Sequence, residues 1–139
     1  MFIVFEVPTW TPEGPSPRLE APCPPPSVSK YVQSLPPIEA LETEFPLRVE
    51  RYELVRGSGG EGRHRGGDGL VRSLRALEPA WLSLLTERRR HAPQGAAGGA
   101  PGRIGRNLLN EELLPSKTTV ELEPGDLVTI ETPGGGGWG

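Results

Sequence analysis

The hydrophobic positions of this chain come in short alternating runs, cut apart by Gly and Pro. That spacing predicts strands more than helices. Between Leu47 and Val55, Leu47 and Val49 hold one parity while Tyr52 and Leu54 hold the other. The slip predicts a strand with a β-bulge near Glu50-Arg51. Leu70 to Leu77 and Trp81 to Glu87 read as two further strands, joined by Glu78-Pro79-Ala80. Near the end, Thr118, Val120 and Leu122 alternate with Thr119, Glu121 and Glu123, and Leu127 to Glu131 follows. Between them, Glu123-Pro124-Gly125-Asp126 has Pro second and Gly third, the signature of a type II turn. The pair predicts a C-terminal β-hairpin. One segment, residues 37–45, has helical spacing instead. Ile38, Leu41 and Phe45 share a face, Pro37 suits the first helical position, Glu39 and Glu42 favour the N-terminal end, and Pro46 stops the run. The expected fold class is mainly β, with Gly-rich loops and one short helix.

Composition divides the chain in two. Ten of the 17 Pro lie between Pro8 and Pro37, and 18 of the 19 Gly lie from Gly57 onward. Residues 1–36 hold too many prolines for a helix or a central strand and are expected to lie outside the fold. They read as a PPII-like binding arm, a disordered leader, or the product of a misplaced start or upstream frameshift. Residues 37–139 form the expected β region. Only 35% of residues are apolar and 6% aromatic, so the core is small. Gly is costly to order, so the chain needs support from neighbouring domains or a partner.

Charge is segregated as well. Residues 48–106 carry twelve basic and six acidic side chains, inside a chain whose net charge is −3. A basic centre in an acidic protein points to a local anion site more than to a nucleic-acid surface, or to a solvated face paired with the acidic flanks. No nucleic-acid partner is expected. Cys23 is the single cysteine, which excludes an internal disulfide framework and a cysteine zinc site. No signal peptide and no membrane-spanning run is read, so a cytoplasmic protein with no membrane partner is expected.

Three glycine clusters hold the candidate chemistry. The first, Gly57 to Gly69, contains G-x-G-x-x-G at Gly57, Gly59 and Gly62. No amphipathic helix follows, as a dinucleotide fingerprint requires, and no Gly-Lys-Ser/Thr makes it a P-loop. Its single Arg-Gly-Gly lacks the repetition of RNA-binding tracts. Successive backbone N–H groups beside Arg63, His64, Arg65 and Asp68 suit either an anion-binding or subunit-contacting loop, or a tight packed connection. The second, Thr86 to Gly99, opens with Arg88, Arg89 and Arg90, which bind a carboxylate or phosphate or make structural ion pairs. Lys117 lies just ahead of the predicted hairpin and completes the candidate contacts. The third, Thr132 to Gly139, reads as a placed loop, with Trp138 as an anchor. Two His and two Asp complete the titratable inventory beyond Glu, with no nucleophile–base constellation. His64 and Asp68 alone do not make a metal site, so catalytic residues stay unassigned and no metal ligand is assigned.

Taken together, RYELVRGSGGEGRHRGGDG, LTERRRHAPQGAAGGAPGRIGRN and LPSKTTVELEPGDLVTIETPGGGGWG resemble the C-terminal end of the hydantoinase B/5-oxoprolinase family. IEALETEFPLRVE is similar to the family's sequence just upstream, so the resemblance covers residues 37–139. It implies a part in ATP-dependent opening of hydantoin or 5-oxoproline rings. Phosphorylation of the carbonyl oxygen would make the ring carbon electrophilic. An ATP-binding hydantoinase A-type subunit is the implied partner, together with the missing N-terminal part of the B-type subunit. ATP and a divalent metal are implied for the complete complex, with none bound by this chain. The family's metal-associated Asp/His/Glu motifs lie upstream of the resembling stretch, so no catalytic residue transfers, and the chain is expected to be inactive alone. Two other readings stay open: a non-enzymatic assembly remnant, and a piece of a related acetone or acetophenone carboxylase subunit.

Overall fold

The structure is a computed structural model that describes residues 2–6 and 38–139. Pro37, Cys23 and the expected Pro-rich arm lie outside the described residues. Among those described, eight strands and one helix follow in order: β1 (Phe2–Glu6), α1 (Ile38–Glu44), β2 (Leu47–Val55), β3 (Gly69–Ala76), β4 (Ala80–Leu85), β5 (Arg106–Leu109), β6 (Glu112–Leu113), β7 (Lys117–Leu122) and β8 (Leu127–Glu131). They build a three-stranded sheet, β1-β4-β7, and a five-stranded sheet, β2-β3-β8-β5-β6. The mainly β expectation holds, and the expected short helix forms at Ile38–Glu44. β1 falls inside the stretch expected to lie outside the fold, and pairs parallel with β4 from Phe2↔Trp81 to Glu6↔Leu85.

Alternation sets the inner faces. In β4, Ala80, Leu82 and Leu84 are buried while Trp81 and Leu85 stay exposed. They meet Leu122 of β7, Ala76 of β3, and Val128 and Ile130 of β8 in one apolar cluster. Complete burial of a leucine such as Leu82 is worth about 1.5–3 kcal/mol, so this small core dominates the apolar stabilisation. The bulge in β2 lies between Val49 and Arg51, as the parity slip predicts. By adding one residue it returns Tyr52 and Leu54 to the face of Leu47 and Val49, opposite Arg72 and Leu70.

The expected C-terminal hairpin is corrected. Gly125 has φ +99° and Asp126 N–H donates to Glu123 O at 3.0 Å, so the turn itself forms as expected. Its flanking strands do not pair, however. β7 runs antiparallel to β4 in one sheet, and β8 lies between β3 and β5 in the other. The turn is a corner between sheets. The β3–β4 connection turns the same corner, and the two passages bond across it: Gly125 N–H donates to Ala76 O, and Ala76 N–H donates to Asp126 O. The physical reason is that both ribbons must bring an apolar face inward, which a flat hairpin of β7 and β8 would not do. A tight hairpin does exist elsewhere, joining β5 to β6 through Asn110 and Glu111. Both loop residues have positive φ, +48° and +74°, as a two-residue type I′ loop requires.

Candidate functional site

The three glycine clusters converge into one hydrogen-bonded bundle. Gly60 N–H donates to Gly135 O and Gly135 N–H to Gly67 O, linking the first cluster to the third. Ala96 N–H donates to Gly137 O, Gly137 N–H to Ala100 O, and Gly134 N–H to Arg103 O, linking the second cluster and the residues just after it to the third. Ala100 N–H to Glu61 O and Arg103 N–H to Ser58 O close the ring between the first cluster and the residues that follow the second. The segments lie backbone against backbone. A Cβ on Gly59, Gly66, Gly134 or Gly137 would fall well under 3.0 Å from a carbonyl of a facing segment. Glycine is required there by close approach. Ser58, only 2% exposed, anchors the bundle to the sheet by accepting the Gly69 N–H on its hydroxyl at 2.7 Å.

Arg63, His64, Arg65 and Asp68 belong to this bundle. Arg63 N–H donates to Gly139 O, and His64 exchanges two 2.8 Å backbone bonds with Trp138. The His64 and Trp138 rings meet at 5.5 Å and 40°. Asp68 accepts from Gly59 N at 3.0 Å and from Arg65 at 3.1 Å. Burial pushes the Asp68 carboxyl up. The Gly59 N–H, the Arg65 charge and the Gly57 and Ser58 N–H groups outweigh that and hold it below its ordinary value. The loop's N–H groups at Gly59, Gly60, Arg63, His64 and Gly66 are therefore turned into the fold. They do not fit a nucleotide phosphate. Nor do the described residues fit a divalent metal: His64 stacks on Trp138, Asp68 binds Arg65, and no cluster of three or more His, Cys, Asp or Glu gathers among them.

Arg88, Arg89 and Lys117 occupy a second place, where β4 leaves its sheet. Lys117 lies 3.5 Å from Glu87, both well exposed. Arg88 has φ +58°, a left-handed turn that sets Arg89 facing inward. Arg89 donates through Nε and Nη2 to Asn107 Oδ1 at 3.0 and 2.9 Å, and through Nη1 to Glu87 O at 2.6 Å. Asn107, 1% exposed, donates in turn to Thr86 Oγ1 at 2.8 Å and Pro115 O at 3.2 Å. Burial lowers the Arg89 guanidinium to about 10, with Glu87 partly offsetting it. Sequence reasoning named Arg89 but not Asn107, Thr86 or Gly105. A buried Asn 18 residues away leaves no local signal.

The fold has known relatives. The family model for Hydantoinase B/oxoprolinase matches residues 28–139. The chain is 43% identical over 106 residues to "5-oxoprolinase 1" of Arabidopsis thaliana, covering 73% of this chain and 8% of that protein. It is 36% identical to the B component of a putative D-/L-hydantoinase of Pseudomonas sp. (strain NS671), covering 74% of this chain and 19% of the other. Among solved structures, the ATP-dependent caprolactamase from Pseudomonas jessenii superposes with a TM-score of 0.64 at 31% identity, over 74% of this chain and 20% of that one. The chain thus spans between 8% and 20% of the length of these three. With its family model matched over residues 28–139, the chain belongs to the hydantoinase B/oxoprolinase family.

Proposed function

We propose that this chain supplies the glycine-bundle region of a B-type subunit in an ATP-dependent cyclic-amide hydrolase. The observation that carries the reading is the family match over the whole glycine-bundle region, with relatives named as a 5-oxoprolinase, a putative hydantoinase component and an ATP-dependent caprolactamase. Cyclic amides resist hydrolysis because amide resonance keeps the ring carbon unreactive. Coupling to ATP through phosphorylation of the carbonyl oxygen offsets that, and this step belongs to an ATP-binding A-type partner. The remaining B-type sequence supplies the metal-associated residues. In this reading the chain contributes a rigid surface, since its loop N–H groups are spent within the bundle, and it is inactive alone.

Assembly is the test. The purified chain is mixed with an A-type subunit and with a B-type polypeptide that ends where this chain's similarity begins. Co-elution of all three at one stoichiometry is expected by size-exclusion chromatography with light scattering. Separate elution at micromolar concentration would overturn the proposal.

A further inference from the structure

Three consecutive arginines repel one another and normally collect carboxylates. Here they do not. The ion pairs among the described residues are Arg51–Glu53, Arg65–Asp68, Arg75–Glu50, Arg106–Glu131 and Lys117–Glu87. None includes Arg88, Arg89 or Arg90, and the one acid in their own segment is paired with Lys117.

Arg89 is nevertheless held firmly. Three of its five N–H donors are used, all on neutral oxygens: two converge on Asn107 Oδ1 and one goes to Glu87 O. Asn107 is fixed from behind by Thr86, whose hydroxyl donates to Ser116 O at 2.8 Å. Gly105 leaves the space that the guanidinium fills, because a Cβ there would lie 2.5 Å from Arg89 Nη1. One N–H remains on each terminal nitrogen. Each can donate to an oxygen of a carboxylate or phosphate.

Arg89 also lines a recess of about 280 Å³, together with Arg90, Arg106 and Asn107 on the polar side and Ile104 and Leu113 on the apolar side. An adjoining recess of about 270 Å³ adds Arg88 and His91, and also the Glu87 carboxylate that pairs with Lys117. The size is near the lower end for small-molecule sites.

We infer that this recess binds a small molecule carrying one carboxylate or phosphate on a short apolar body, with the oxyanion on Arg89. The remaining Arg89 N–H groups and Arg90 supply the charge match, since Arg106 is paired with Glu131, and Ile104 and Leu113 take the carbon portion. The recess is half open to solvent, so a protein carboxylate reaching into it is the alternative that the assembly outcome below detects. The inference stands apart from the proposed hydrolase role, because its test needs no turnover.

The 139-residue chain is titrated with inorganic phosphate in one arm and with butyrate in another. Binding is followed by 15N NMR at the Arg89 Nε and Asn107 side-chain amide resonances. Saturable shifts at both groups are expected in at least one arm, and the arm that responds identifies the anion. Arg89→Lys keeps the charge but removes the guanidinium donors, and is expected to weaken binding at least tenfold. Arg63→Gln, on the glycine bundle, is expected to leave it unchanged. If Arg89→Lys does not fold, Arg90→Gln at the exposed rim is expected to weaken binding several-fold. No saturable shift with either anion, or equal binding by the substituted and parent chains, overturns the inference. So does a variant that loses only assembly with other subunits, which would make Arg89 an interface residue.

Discussion

Alanine at Gly134 tests whether the terminal glycine run is packed structure or a loose tail. A Cβ there would meet the Ser58 carbonyl well inside 3.0 Å, whereas ordinary contact starts at 3.4 Å. The carbonyl would have to retreat by more than about 1 Å to escape the repulsive wall. That motion pulls Ser58 O from Arg103 N–H, now at 2.8 Å, and strains the Gly134 N–H bond to Arg103 O at 3.1 Å. Overpacking costs about 1–3 kcal/mol, and each buried group left unsatisfied adds about 1–3 kcal/mol. With one such group, a loss of about 2–6 kcal/mol follows, a large share of the roughly 5–15 kcal/mol that holds a domain folded. At about 4–8 °C per kcal/mol for a domain near 100 residues, Tm should fall by at least about 8 °C. Gly135→Ala is the internal control. Its nearest neighbour would be Gly67 N at 3.2 Å, a small adjustment, and its φ is not in the left-handed region. It should cost about 1 kcal/mol or less. Thermal unfolding by circular dichroism reads both. Equal Tm values for the two variants would refute the packed-bundle reasoning, because a flexible run cannot tell one glycine from its neighbour.

Single positions elsewhere give sharper tests of local chemistry. Glu111 is exposed and holds φ +74° in the β5–β6 loop, so Glu111→Gly should stabilise by about 0.5–1 kcal/mol, read by chemical denaturation. Asn110→Ala should destabilise by about 1–3 kcal/mol in the same assay, since Asn110 joins the loop to the corner through Asp126 Oδ1 at 2.7 Å and Leu127 N at 2.9 Å. Tyr52 Oη is buried without a partner among the described residues, so Tyr52→Phe should leave stability equal or raise it by up to about 1 kcal/mol. Asp68 is held below its ordinary value by the Gly59 N–H and Arg65 against the upward push of burial. Its contribution is therefore complete above the unfolded value near about 3.9 and is lost as pH falls through the lower folded value. Asp68→Asn should flatten the fall in stability on acidification below about pH 4 and change little of that slope near neutrality.

What was legible in the sequence was local. The parity slip at Glu50-Arg51 located the β2 bulge because side-chain alternation is a one-residue ruler. Pro124-Gly125 announced its own turn, and Gly125 has the positive φ that turn needs. Which sheet each flank would join was not legible, because the turn specifies its own dihedrals and not the partners of β7 and β8. The β5–β6 hairpin escaped notice because Asn110-Glu111 lacks the glycine that usually marks such a loop. The glycine clusters could be read as ordered from Thr132-Pro133 and Trp138. Their mutual pairing is set by contacts such as Leu70 N–H to Thr132 Oγ1, 62 residues apart, which no local pattern encodes. Arg89 could be named as a candidate from its charge. Its buried clamp of Asn107 and Thr86 depends on β5, a strand too short and too polar at Arg106 to stand out.

The proposed role in cyclic-amide hydrolysis is tested most directly by omission. An A-type subunit and the remaining B-type sequence are combined with ATP and hydantoin, 5-oxoproline or caprolactam, with and without this chain, and ring-opened product and ADP are measured together. ATP-dependent ring opening of at least one substrate only when this chain is present is the expected result. Full ring opening in its absence, or none with any substrate in the complete mixture, would contradict it.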